Sequence, residues 1–111
     1  MTFEDATEKA LAFRDERLWA QFHNPKDLAI SINLEAAELL ENFQWSGSDL
    51  TVQKNSMKMT EELADVVIYC IYLADSLGVC LADIVSNKID SNEKKYPVAE
   101  SRGNSRKYTE L

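Results

Sequence analysis

Basic residues, histidine, cysteine, glycine and proline are all scarce in this chain, and each scarcity removes a class of protein. Of 111 residues, 12 are Lys or Arg against 19 Asp or Glu, a formal net charge of −7. Duplex binding needs a basic face that displaces counterions from phosphate, so a nucleic-acid polymer is not the expected partner. Small phosphorylated ligands stay open, because a bound metal reverses the local sign of charge. A single His excludes a His-rich zinc centre. Cys70 and Cys80 are too few for a disulfide scaffold and read as reduced packing residues. With 3 Gly, 2 Pro and 45% hydrophobic residues, the chain is globular and not disordered. Its most apolar run, Val66 to Ala74, is bracketed by Asp65 and Asp75 and falls far short of the ~20 residues that span a bilayer. The opening Met1-Thr2-Phe3-Glu4-Asp5 is acidic at once, where a secretory leader starts basic. The expectation is a cytoplasmic protein without a membrane partner, and its length predicts one domain over residues 1–111.

What is present is helical periodicity. Thr2 followed by Asp5 has capping-box spacing, and Phe3, Ala6, Ala10 and Phe13 recur as on one helix face, predicting a helix over 3–22. Asn24-Pro25 stops it, and Asp27 caps a second helix running to about Trp45. Ser46-Gly47-Ser48-Asp49 marks a loop, with a short connector to Asn55. Ser56 or Thr60 opens a third helix to about Leu77, closed by Gly78. A fourth runs from about Leu81 to Tyr96 and ends before Pro97; residues 97–111 read as an extended polar tail. No strand or hairpin is predicted. The fold class is all-α, a four-helix-bundle-type core.

Two of these helices carry an acidic stripe between apolar flanks. At about 3.6 residues per turn, Ser31, Glu35, Glu38 and Asn42 share one stripe, flanked by Leu28, Ile32 and Leu39 on one side and Leu34 and Trp45 on the other. In the third helix Lys58, Glu62, Asp65, Tyr69 and Ser76 align between Val66, Leu73 and Leu77 on one side and Ile68 and Tyr72 on the other. Helices apolar nearly all round are buried. The first and fourth helices cannot cover both, which predicts a homo-oligomer, a dimer or, by preference, a tetramer, that completes the core.

Glu35 and Glu38, and likewise Glu62 and Asp65, are spaced i, i+3, so each pair lies on one face. If the helices face each other, four carboxylates converge and repel unless protons or cations intervene. An all-oxygen set suits Mg²⁺, or Mn²⁺, better than zinc. A ferritin-like di-iron centre would want Glu-x-x-His pairs, and neither pair contains His. The plainer alternative is a set of solvent-facing helix residues. Glu41 lies off the stripe, as an auxiliary ligand or an exposed residue.

Glu35-x-x-Glu38 and Glu62-x-x-Asp65, 23 residues apart, resemble the signature of the all-α nucleotide pyrophosphohydrolases, and most closely the MazG-like branch that contains dCTP pyrophosphatases. Four further stretches are similar: Glu16 to His23, Glu38 to Trp45, Glu61 to Val66, and the tail with Lys95-Tyr96-Pro97-Val98, Ser101-Arg102-Gly103 and Lys107-Tyr108-Thr109. Leu18 departs from the Asp expected before Trp19. The resemblance implies Mg²⁺-dependent hydrolysis of a dNTP, dCTP or a modified dCTP-like nucleotide favoured, to monophosphate and pyrophosphate. Glu35, Glu38, Glu62 and Asp65 would bind metal, with Glu38, alongside Glu35, activating water. Lys88, Asn92 and Lys95, at i, i+4 and i+7 on the fourth helix, would hold phosphate or sugar, or else form a solvated face. Arg102, Lys107 and Tyr108, with Tyr96, would close over the triphosphate. Trp19, Phe22, His23 and Trp45 would line the nucleoside pocket, and Tyr69 would pack on the deoxyribose; core packing is the alternative for each. A non-catalytic metal-binding or interaction bundle is the reading from a different class, and a phosphoribosyl-ATP pyrophosphohydrolase fits the tail poorly.

The apolar flanks generate a direct test. Light scattering at micromolar concentration should give at least twice the monomer mass; a monomer would remove the oligomer.

Overall fold

In the computed structural model, which describes residues 1–111, helix starts follow the capping chemistry. The Thr2 side chain accepts from the Asp5 backbone N–H at 3.0 Å, and the Asp5 carboxylate accepts from the Thr2 N–H at 3.0 Å. This reciprocal box satisfies two otherwise unpaired donors and opens α1, Phe3–Glu16. The helix does not continue to Phe22. Leu18 adopts φ 54, a left-handed conformation that Asp or Asn reaches more easily than Leu, and Trp19–Phe22 forms a separate 3₁₀ turn.

Asn24, not Asp27, caps α2, Pro25–Glu41: its side chain accepts from the Asp27 N–H at 2.9 Å. Pro25 then sits at the first helical position, where its missing N–H costs nothing. Expected to reach Trp45, α2 instead ends at Glu41, and Trp45 lies in the left-handed region at φ 63. Asp49 receives the N–H of Val52 at 3.1 Å, holding a connector in which Val52 is buried at φ 44. A 3₁₀ turn at Gln53–Asn55 leads into α3, Ser56–Ser76, and Gly78 at φ 68 supplies the expected left-handed exit.

These elements belong to a first compact unit, Met1–Gly78. Within it α2 packs along α3, and α1 packs on α3. The Tyr72 hydroxyl donates to the Ala10 carbonyl at 2.9 Å, and the Arg14 guanidinium donates to Asp75 at 2.7 Å, so α1 is tied to the C-terminal half of α3. The apolar core is small: Leu28, Val52, Ile71, Tyr72 and Ala74. The expectation that α2 and α3 are buried nearly all round does not hold for one chain, because Leu34, Leu40 and Leu63 stay 59%, 69% and 55% exposed.

The second unit, Val79–Leu111, contains α4, Leu81–Lys95, and α5, Val98–Ser101. The tail is therefore not wholly extended. Its 3₁₀ turn Tyr108–Glu110 brings the Tyr108 ring edge-on to Tyr96 at 5.9 Å, and the Lys95 ammonium lies 4.9 Å from the Tyr108 ring centroid. No strand occurs, and no single helix is long and apolar enough to cross a membrane.

The Tyr72–Ala10 bond yields a stability prediction. Tyr72→Phe should cost about 1 kcal/mol, lowering Tm by about 5 °C in thermal unfolding followed by circular dichroism. An unchanged Tm would mean that the hydroxyl does not hold α1.

Candidate active site

The two acidic pairs do face each other. Asn55 donates from its side-chain amide to the Asn42 carbonyl at 3.3 Å, joining the end of α2 to the start of α3. Further along, Glu38 reaches Glu62, and Glu35 meets both Glu62 and Asp65, so α2 and α3 run antiparallel. The carboxylates of Glu35, Glu62 and Asp65 each place an oxygen within 4.8 Å of the others. Glu38 is exposed at the edge of this triad, close enough that its carboxylate raises the pKa of both Glu35 and Glu62. Glu41 is exposed and outside the cluster.

Two observations set the cluster apart from a solvated acidic face and make it one that could hold a cation. Glu62 is buried, 8% exposed, and the Oε2 of Glu35 is buried without any hydrogen-bond partner. Burial, and next the charge of Glu38, push the Glu35 carboxyl above the ordinary Glu range. Burial, and then Glu38 through hydrogen bonding and charge, do the same to Glu62. Carboxylates held this close without a cation retain protons; a divalent cation with oxygen preference relieves both the repulsion and the unpartnered oxygen. The residues fit such an ion.

Aromatic groups continue the site toward the start of α2 and the end of α3. Tyr69 packs edge-on against Tyr72 with centroids 6.0 Å apart, and the His23 ring lies 5.1 Å from Tyr72. Burial, with the nearby Arg14 charge, holds His23 below its ordinary pKa, and its Nδ1 is buried without a partner. That nitrogen is an unused polar group able to read a ligand edge. Trp19 packs edge-on against Phe13 at 5.6 Å, while Phe22 is exposed. Trp45 is 93% exposed and sits at the other end of α2. Since α2 has 17 residues and so measures about 25 Å, Trp45 and the His23 group of one chain do not meet on the same base.

The remaining sequence candidates belong to the second unit. Lys88, Asn92 and Lys95 share one face of α4; Lys95, Tyr96 and Tyr108 come together, and Arg102 and Lys107 are exposed. Two residues of the first unit had no role assigned from sequence. Asn42 is 6% exposed, donates to the Leu39 carbonyl at 3.0 Å, and keeps a buried, unpartnered Oδ1. Tyr72 supports the His23 ring. Asn42 already stood on the acidic stripe, which was its signal; nothing local marked Tyr72 apart from other core aromatics.

Comparison with known proteins agrees with this geometry. The MazG-like family profile matches residues 30–111. The dCTP pyrophosphatase 1 of Mus musculus is 40% identical over 115 residues, covering 99% of this chain and 68% of the mouse protein. The Homo sapiens protein of the same name is 39% identical with the same coverage. The crystal structure of a pyrophosphatase from Archaeoglobus fulgidus superposes with a TM-score of 0.78 at 40% identity, over 86% of this chain and 92% of that one.

The strained carboxylates predict a sign reversal. Without divalent metal, Glu62→Gln should raise Tm, because it removes a buried like charge; with millimolar Mg²⁺ or Mn²⁺ the wild type should gain Tm and the variant should not. Raised carboxyl pKa values also make the metal-free wild type more stable as pH falls from neutral toward the folded-state pKa of Glu35 and Glu62. Parallel melts of both proteins with and without metal would expose a wrong assignment, as equal metal responses.

Proposed function

The chain belongs to the MazG-like family, and on that premise we propose that it is a Mg²⁺-dependent pyrophosphohydrolase converting a dNTP, with dCTP or a modified dCTP-like nucleotide favoured, to the monophosphate and pyrophosphate. Such an activity clears nucleotides before polymerases use them. The observation that carries the reading is the four-carboxylate cluster, with its unpartnered Glu35 oxygen, in a chain 40% identical to a dCTP pyrophosphatase over 99% of its length.

Glu35, Glu38, Glu62 and Asp65 would hold the cation. When bound, it neutralises phosphate charge and lowers the pKa of an attacking water. Glu38 is our choice of the carboxylate that takes the proton, because it lies at the exposed edge of the cluster, where a water can reach it. Water attacks the α-phosphorus, the bond from that phosphorus to the α,β-bridging oxygen breaks, and pyrophosphate leaves with that oxygen. Tyr69, on the stripe one turn beyond Asp65, packs on the deoxyribose, where a 2′-hydroxyl would crowd it. His23, neutral at physiological pH and with a free Nδ1, reads the base edge. Trp19 and Phe22 flank it, while Lys88, Lys95, Arg102 and Lys107 supply cationic groups, Tyr96 and Tyr108 hydroxyls, and Asn92 an amide donor for phosphate or sugar.

Two observations support a homo-oligomer. Leu34 and Leu40 of α2 and Leu63 of α3 leave apolar surface on the helices that carry the site. Trp45 lies beyond reach of its own chain's His23 group, so its place in a nucleoside pocket is in that of a second copy. The free thiols of Cys70 and Cys80 suit a reducing, cytoplasmic setting.

The test is pyrophosphate release from canonical and modified dNTPs and NTPs with and without Mg²⁺. Release should require Mg²⁺ and favour cytosine nucleotides, and Glu38→Gln should lower kcat by about 10²–10⁴-fold. A folded oligomer that releases nothing would be the non-catalytic bundle.

A further inference from the structure

The acidic cluster has unlike ends. Toward the start of α2 stand Tyr69, Tyr72 and His23, an aromatic end suited to a nucleoside. Toward the end of α2 the stripe of α3 continues to Lys58, one turn before Glu62 and on the same face. Two approaches between the helices bracket it: the Asn55 amide hydrogen-bonded to the Asn42 carbonyl on one side, and the Glu62 and Glu38 carboxylates close enough to perturb each other on the other. Lys58 therefore faces α2 between Glu38 and Asn42.

It is the one cation on either stripe, and its ammonium has no acidic partner within 4.0 Å; the ion pairs involve Arg14, Arg17 and Lys26 only. Its exposure puts the four-carbon stem at the rim of the cluster, with the charge free to meet a ligand. Its charge partly offsets the upward shift of the Glu62 carboxyl without forming an ion pair with it, so the ammonium remains able to donate to an anion that arrives with the substrate.

We propose that Lys58 binds the pyrophosphate leaving group. With the nucleoside at the aromatic end and the α-phosphorus over the carboxylates, the β- and γ-phosphates extend toward Lys58. The ammonium donates hydrogen bonds to their non-bridging oxygens and offsets the negative charge that accumulates as the bond from the α-phosphorus to the α,β-bridging oxygen breaks. No proton is transferred. The role rests on the pyrophosphohydrolase reading, and it differs from that of the carboxylates in concerning only one of the two products.

That difference supplies a test that needs no turnover. Inorganic pyrophosphate and deoxycytidine monophosphate are titrated separately, by calorimetry with Mg²⁺ present, into wild type, Lys58→Gln, Lys58→Arg and, as a control on α1, Lys9→Gln. Lys58→Gln should weaken pyrophosphate about tenfold and leave the monophosphate within about twofold. Lys58→Arg should recover most of the loss, and Lys9→Gln should match wild type. Unchanged pyrophosphate affinity in Lys58→Gln, an equal loss for both products, or no pyrophosphate binding by wild type would each overturn the role. Absence of turnover by the wild type would instead sink the hydrolase reading, which the release assay measures independently.

Discussion

Repulsion among carboxylates that the α2–α3 pair forces together is the constraint on which the rest of the molecule depends. Glu35, Glu62 and Asp65 converge within 4.8 Å, with Glu38 against two of them. Left alone, such charges would drive the helices apart or take up protons. The pair is held at both ends instead. The Asn42–Asn55 bond and buried Val52 close one end, while Leu28, Ile71 and Ala74 pack the other. α1 then braces α3 through Arg14–Asp75 and Tyr72–Ala10, away from the acidic centre. Stability is spent at the cluster and regained around it, the pattern expected of a binding site built into a fold.

The small apolar core and the composition of the site are two views of one fact. A chain of 111 residues buries only about two-thirds of the surface of its unfolded state. Its site-bearing helices keep leucines in solvent, and Trp45, held in a left-handed backbone conformation, projects almost fully exposed. A side chain of that size fixed in that conformation is a costly arrangement for a free surface. Contact with another copy would cover the leucines and give the tryptophan a ligand or a partner.

Helix existence and most helix starts were legible because they rest on local chemistry. Thr2 with Asp5, Ser56, and Gly78 each act within about one turn, whereas the cap of α2 falls on Asn24 and not on the expected Asp27. The misplaced boundaries share a cause. Leu18, Trp45 and Val52 all adopt positive φ without being glycine, so α1 and α2 end earlier than apolar periodicity implies. Nothing in a Leu, Trp or Val announces a left-handed turn; packing accounts for it at buried Val52, whereas Leu18 and Trp45 adopt it while 71% and 93% exposed. The acidic stripes were legible as faces, since i, i+3 spacing fixes orientation within a helix. Which residue of one stripe meets which of the other was not.

The amino-acid sequence by itself determined an all-α chain, its acidic balance, and two acidic pairs each committed to one helix face. These follow from composition and from the helical repeat, which act over a few residues. Tertiary structure decided the rest. It set the antiparallel register that brings Glu38 near Glu62, left the Glu35 oxygen without a partner, and laid the His23 ring at a tilt against Tyr72. It also separated Trp45 from His23 by the length of α2 and placed Lys58 between the Asn42–Asn55 hydrogen bond and the Glu38–Glu62 approach. Such relations depend on how one helix slides and rotates against another, and that is fixed by the sum of contacts along both helices, not by any local run of residues.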